Sequence, residues 1–263
     1  MAVVADFCRF LEDFAPHGLS ESWDNVGLLV GDRLRSCERV MTCLTITPAT
    51  TAEAIREGAQ LIVAHHPLPF QPLKRLTTET TVGRMLLDLI EAKIAVYSPH
   101  TAFDSAAEGI NQGLAEGLGL VDIQPFAQPA DPYLNGGTGR WGRLTGGETV
   151  ADLVLRLKSF LKIDTLQMTR PSEQPIERVA IGCGSAGKFL EDAIRRDCRV
   201  FVTGEASFHT CLEAEARGVT LLLPGHYASE RFGLDRLAAK LSAAYPAAHI
   251  WAATEERDPL RSV

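Results

Sequence analysis

The chain has 263 residues, of which 46% are hydrophobic and 22% charged, and its formal net charge is −7. That length supports a sizeable core or two small α/β domains, and the composition excludes global disorder. The acidic balance, with no Lys/Arg-rich run, argues against nucleic acid or another polyanion as partner. No uncharged apolar run approaches the ~18 residues of a membrane span, and Asp6, Arg9, Glu12 and Asp13 interrupt any signal-peptide core. A soluble, cytoplasmic protein is the expectation. Cys8, Cys37, Cys43, Cys183, Cys198 and Cys211 are scattered and never form C-x-x-C, which fits reduced, packing cysteines.

Val4, Phe7, Phe10, Leu11 and Phe14 fall at helical spacing, and Pro16 and Gly18 end that helix. Trp23-Asp24-Asn25-Val26-Gly27 then leads into the apolar run Leu28–Val30; Asp24-Asn25 either makes a turn or lines a pocket, and we take turn chemistry as the safer reading. Strand-like runs Val40–Ile46, Leu61–Ala64 and Ile94–Tyr97 alternate with helix-like stretches Thr51–Glu57 and Val82–Glu91. The Gly/Pro-rich stretch Gln124–Gly147 reads as a connection with turns. Beyond it the style returns in Val179–Ile181, Val200–Val202 and Thr220–Leu223. Alternation of this kind predicts an α/β fold. We place a first α/β domain over residues 1–123 and a second α/β segment over 124–263, whose last part, about 222–263, is able to pack back on the first. His17, beside a helix terminator, and His249, in a terminal strand, are read as structural.

A repeat underlies the alternation. Glu38-Arg39-Val40 and Glu177-Arg178-Val179 open segments that align without gaps, with about 7 identities in roughly 29 positions. Ala54-Ile55-Arg56 falls on Ala193-Ile194-Arg195, and His66 on Glu205. After a gap, His100 and Asp104 parallel His226 and Glu230. Two α/β domains built from related strand–helix units follow, with a metal site expected at the strand ends between them.

The chemistry-bearing residues gather just past those strands, where α/β folds place ligands. His65 and His66 follow Leu61–Ala64; adjacent side chains on a strand point to opposite sides, which suits two metal ions better than one. A histidine and a carboxylate four residues apart share a face of a helix, as in His100/Asp104 and His226/Glu230. Imidazole with carboxylate and no thiolate suits Zn, Fe, Mn, Co or Ni. A pair of such ions lowers the pKa of bound water and generates hydroxide near neutral pH. Glu205, in Thr203-Gly204-Glu205, is a candidate supporting base, substrate contact or salt-bridge partner, with His209 nearby in sequence. Gly182-x-Gly184-x-x-Gly187 follows a strand and matches a dinucleotide fingerprint, and Phe189 spoils the parallel P-loop reading. What remains is a turn whose backbone amides hold phosphate, or a tight turn with close helix packing.

These motifs, in this order, resemble the YbgI/Nif-three-like family, whose members are often named GTP cyclohydrolase I type 2 homologues. The resemblance rests on Ser22-Trp23-Asp24-Asn25-Val26-Gly27-Leu28, Ala64-His65-His66-Pro67-Leu68, His100-Thr101-Ala102-Phe103-Asp104, Thr203-Gly204-Glu205 and Gly225-His226-Tyr227-Ala228-Ser229-Glu230. It implies a two-domain α/β subunit, a centre of two divalent transition-metal ions and a ring-like homohexamer. It puts the metal ligands on His65, His66, Asp104, His226 and Glu230. His100 matches a histidine beside the metals that serves in orientation or acid/base work, which with Glu205 completes our candidate catalytic residues. Thr45 stands where the family often has aspartate, and Ala102 where asparagine is common. Longer relatives carry an inserted domain for which the connection here leaves no room.

The resemblance implies a metal-dependent hydrolase acting on a nucleotide, by the family name GTP. The alternative is a non-catalytic metal-binding ring that serves as a regulatory or interaction scaffold.

Overall fold

Apolar side chains at helical spacing bury Val4, Phe7, Cys8 and Leu11 on one face of helix α1 (Val4–Phe14), over the range the sequence predicts. The computed structural model describes residues 1–171 and 175–261. After α1 come β1 (Gly27–Val30), β2 (Arg39–Cys43), α2 (Pro48–Arg56), β3 (Leu61–Ala64), α3 (Thr81–Glu91), β4 (Ala95–Ser98), α4 (His100–Ser105), α5 (Ile110–Gly117) and β5 (Val121–Gln124). The chain continues through β6 (Arg140–Arg143), α6 (Val150–Leu161), β7 (Gln167–Met168), β8 (Arg178–Gly182) and α7 (Leu190–Arg195). It ends with β9 (Val200–Thr203), α8 (Phe208–Ala216), β10 (Thr220–Leu223), α9 (His226–Ala244) and β11 (His249–Ala252). These elements form two compact units. One comprises Met1–Phe103 with Gly233–Pro259, the other Asp104–Phe232 with the residues from Leu260.

The first unit is built on a sheet of order β1-β4-β3-β2-β11. β4, β3, β2 and β11 run parallel, and β1 lies antiparallel at the edge. β3 and β4 are buried at every position, as parallel strands covered on both faces must be. Met41, Ile62 and Val96 of the sheet pack with Met85, Leu86 and Leu89 of α3 and Ala54 of α2. On the other face, Thr42 of β2 donates its hydroxyl to the Leu234 carbonyl of α9 at 2.9 Å. The Phe7 and Tyr245 rings pack at a tilt of 34° with centroids 4.3 Å apart.

Strand β11 is clamped by an acid. Glu53 of α2, 1% exposed, accepts the backbone amides of Thr254 and Glu255 at 2.9 Å each, together with the Thr254 hydroxyl and the Trp251 indole N–H. A buried carboxylate is tolerated only with donors on both oxygens, and here the far end of the chain supplies them.

The second unit carries a sheet of order β5-β6-β8-β9-β10-β7. β8, β9 and β10 are parallel; β6 and β7 flank them in antiparallel sense. The stretch Gln124–Gly147 is therefore more than turns, because β6 pairs along β8 from Arg140↔Ile181 to Arg143↔Arg178. Its glycines and short length mask the strand, and its one buried side chain is an arginine. Arg140 donates to the carbonyls of Gly137 and Gly139 at 2.6 Å and of Ala106 at 2.7 Å.

The sequence repeat is a structural one. A spacing of about 139 residues separates β2 from β8, α2 from the turn-plus-helix ending at Arg195, and β3 from β9. Each parallel triple also has an antiparallel strand beside its last member, β1 on β4 and β7 on β10.

Glu53→Ala is expected to lower the unfolding free energy by about 3 kcal/mol, because it leaves buried amides without their charged acceptor. Urea denaturation reads this as an earlier midpoint at constant slope; an unchanged midpoint refutes the clamp.

Candidate metal centre

In the first unit the ladder of β3 runs on past Ala64. The amides of His65 and His66 donate to the carbonyls of Cys43 and Leu44 at 3.0 and 2.8 Å, which carries both imidazoles out on a continued strand. His65 is fully buried and His66 half-buried. His100 opens α4 directly after β4, with a backbone φ of 28° that L residues rarely adopt. Strain of this kind persists where surrounding contacts over-determine it. The ring centroids of His65, His66 and His100 lie 5.1, 5.2 and 5.6 Å apart pairwise. One ligand nitrogen from each falls within 4.8 Å of the others, a group able to hold a metal ion.

Two of these rings are oriented by oxygen at Nδ1. The Thr45 hydroxyl lies 2.7 Å from His66 Nδ1, and the Asp24 carboxylate 2.6 Å from His100 Nδ1. An oxygen on Nδ1 directs Nε2 toward a ligand. At position 45, then, a hydroxyl does the orienting. The Thr45 backbone is itself fixed by Glu256, which accepts the Leu44 and Thr45 amides at 3.0 and 2.6 Å. Asp24 also accepts the Thr101 amide at 3.1 Å and the Thr101 hydroxyl. Burial opposes its charge, yet the hydrogen bonds from His100 and Thr101 prevail and hold its pKa at about 2. The sequence read Asp24 as a turn residue. Its amide does close a turn onto the Glu21 carbonyl, while its carboxylate serves a histidine 76 positions away.

In the second unit His226 opens α9 straight after Gly225, and Glu230 lies one helical turn on, 3% exposed. His226 is gripped at both nitrogens: Nε2 lies 3.1 Å from Glu230 and Nδ1 3.0 Å from Glu205. The Glu230 hydrogen bond, partly offset by burial and reinforced by Glu205, raises its pKa to about 9. Glu205 is thus a supporting partner of His226, and its side chain is half exposed. Asp104 accepts the Cys183 thiol at 3.1 Å, and a carboxylate oxygen of Asp104 lies within 4.8 Å of one from Glu230. Burial, then the charges of Asp104 and Glu230, push the Cys183 pKa well up, so it stays a neutral thiol donor. From the sequence alone Cys183 reads as a packing cysteine, since nothing local distinguishes it.

Close approach around Glu230 requires Gly184. A Cβ there would fall 2.1 Å from Glu230 Oε1 and 3.3 Å from His226 Nε2, and φ is +59°. This corrects the phosphate reading of the Gly182–Gly187 turn. The Cys183 amide goes to Asn111 Oδ1, the Gly184 amide to Ser229 Oγ and the Ala186 amide to Thr203 Oγ1. Those amides are consumed within the fold, the Gly184 amide by the His226–Glu230 turn itself.

The donor chemistry fits borderline divalent metals in both units, imidazole nitrogen in the first and imidazole with carboxylate in the second. The remaining histidines lie in other settings. His17 Nε2 bonds the Tyr97 hydroxyl at 3.1 Å, His249 stacks on Trp251 and His209 packs beside Phe208.

The description Duf34/NIF3 (NGG1p interacting factor 3) matches residues 2–259. The chain belongs to this family. A NIF3-family relative from Clostridium acetobutylicum, named GTP cyclohydrolase 1 type 2 homolog, is 34% identical over 227 residues, covering 86% of this chain and 85% of that one. The crystal structure of a Staphylococcus aureus hypothetical protein superposes with a TM-score of 0.87 at 28% identity, over 99% of each chain. Protein ybgI shares the fold at a TM-score of 0.81 and 22% identity, over 96% of this chain and 97% of that one. The resemblance read from the motifs is thereby shown for this NIF3-family chain, as is its α/β class. No described helix is long and apolar enough to cross a membrane.

A raised His226 pKa has a pH signature in the metal-free protein. The stabilisation is fully present below the ordinary value of 6.5 and is lost as pH rises through about 9. The thermal midpoint of chelator-treated protein should fall across that window, and His226→Gln should flatten the fall. Parallel curves for the two proteins would refute the pairing.

Proposed function

We propose that the protein binds two divalent transition-metal ions through His65, His66, Asp104, His226 and Glu230 and hydrolyses a nucleotide or related substrate. The carrying observation is the gathering of three imidazoles within 4.8 Å at strand ends of the first unit. The histidine–carboxylate turn of the second unit, in the corresponding place of the repeat, supports it. The name GTP cyclohydrolase 1 type 2 homolog, borne by relatives, makes GTP the first substrate to test. A cytoplasmic homohexamer belongs to the same reading, which family membership supports.

Metal ions, when bound, supply Lewis acidity and lower the pKa of water held on them. The chain's own residues do the rest. His100 is the candidate acid/base, because Asp24 at its Nδ1 fixes the ring and, with a pKa of about 2, remains charged to stabilise the imidazolium. Glu205 orients His226, and the Cys183 thiol fixes the Asp104 carboxylate, as supporting partners of ligands do.

Elemental analysis of protein purified without chelator should find two divalent ions per chain. Metal-loaded protein should release formate from GTP, and His66→Ala should reduce that release by about 100-fold. Equal turnover by wild type and variant would rule out a metal-centred reaction. Tight metal uptake without turnover on GTP or simple phosphoesters would assign the scaffold role instead.

A further inference from the structure

Two aromatic side chains stand half in solvent beside His100. Trp23 is 58% exposed and Phe70 47%. Their ring centroids are 6.1 Å apart at an interplanar angle of 54°, an open wedge. Each also meets the His100 ring edge-on, at 6.0 Å and 76° for Trp23 and 6.0 Å and 84° for Phe70. The wedge is therefore continuous with the imidazole group of the first unit.

The wedge is rigid on the Trp23 side. The Asp24 amide donates to the Glu21 carbonyl at 3.0 Å, and the Glu21 amide to the Thr101 hydroxyl at 3.0 Å. Asn25 Nδ2 reaches across to the Pro69 carbonyl at 2.9 Å, which ties the Trp23 segment to the residue before Phe70. Holding two large apolar rings in water with this many hydrogen bonds brings no core burial. It does preorganise a surface whose ordering cost is met before a ligand arrives.

We propose that Trp23 and Phe70 form a stacking rim that receives the planar heteroaromatic ring of the substrate, of nucleobase type, in front of His100. Flat π-faces favour flat rings: offset or edge contacts use the opposed quadrupoles of two aromatics, a gain that a saturated sugar or an acyl chain lacks. The edge contacts to His100 place a stacked ring next to the candidate acid/base. This inference rests on the proposed active site and adds what recognises the substrate there.

The test measures equilibrium retention of guanosine, adenosine and cytidine, each against ring-free ribose, on the full metal-loaded chain. Wild type should retain at least one nucleoside in clear preference to ribose. Trp23→Ala and Phe70→Ala should each weaken that retention roughly tenfold, the effect of losing one base–aromatic stack, with metal content unchanged. Trp23→Phe should restore most of it, which separates stacking from fold damage. Retention that stays dependent on Trp23 after His66→Ala has stripped the metal supports the rim even if the metal reading fails. Loss of the inference follows if the alanine variants bind as wild type does, or if no nucleoside is preferred to ribose. A change in oligomer size in Trp23→Ala with nucleoside retention intact also overturns it, because the rim then covers a second copy.

Discussion

Two carboxylates held within 4.8 Å of each other, with Glu230 almost fully buried, repel one another, and a positive charge beside them relieves that repulsion. Much of the second unit follows from this. His226 keeps its proton to about pH 9 because the Glu230 hydrogen bond outweighs burial, with Glu205 adding to it. Cys183 remains a neutral thiol and gives its hydrogen to Asp104, since burial first, and then the charges of Asp104 and Glu230, disfavour a thiolate. Gly184 contributes no side chain, so backbone closes on Glu230 where any Cβ would collide. A divalent ion would meet the same demand more fully than a proton, and on the proposed function its uptake would displace that proton. The first unit offers a different donor set, three imidazoles gathered at strand ends, and imidazole is a good metal ligand.

The duplicated strand–helix–strand unit explains why so much of this was readable in advance. β3 and β9 are continuous apolar runs, and such runs mark parallel strands before any coordinate is known. The matched spacing of His100/Asp104 and His226/Glu230 then locates two helix starts, which the structure shows as α4 and α9. Strand ends and helix starts are local properties, fixed by a few neighbouring residues, and local properties survive in a single sequence.

Residues whose partners lie far along the chain were not legible. Asp24 looks like any turn aspartate until the fold brings His100 to it across 76 positions. Glu53 reads as a solvated helix residue, yet it is buried because amides from about 200 positions later need an acceptor. Glu256 likewise acts on the Thr45 backbone 211 positions away. The Gly182–Gly187 turn carries the letters of a phosphate loop, and only the hydrogen-bond partners of its amides reveal where they are spent. Strand β6 fell below detection because four residues with a glycine and two arginines carry almost no alternation.

The first unit is discontinuous, and that sets an order of events on the ribosome. Residues 104–232 are contiguous, so the second sheet has all its strands as soon as they leave the exit tunnel. The first sheet waits. Until β11 is synthesised, β2 is a bare edge with unpaired amides and carbonyls, and Glu53 has none of its partners from residues 251–255. A nascent chain stalled or cleaved short of residue 249 would therefore present a second unit with all its strands joined to a first unit with an open edge, a species that chaperones and proteases are equipped to find.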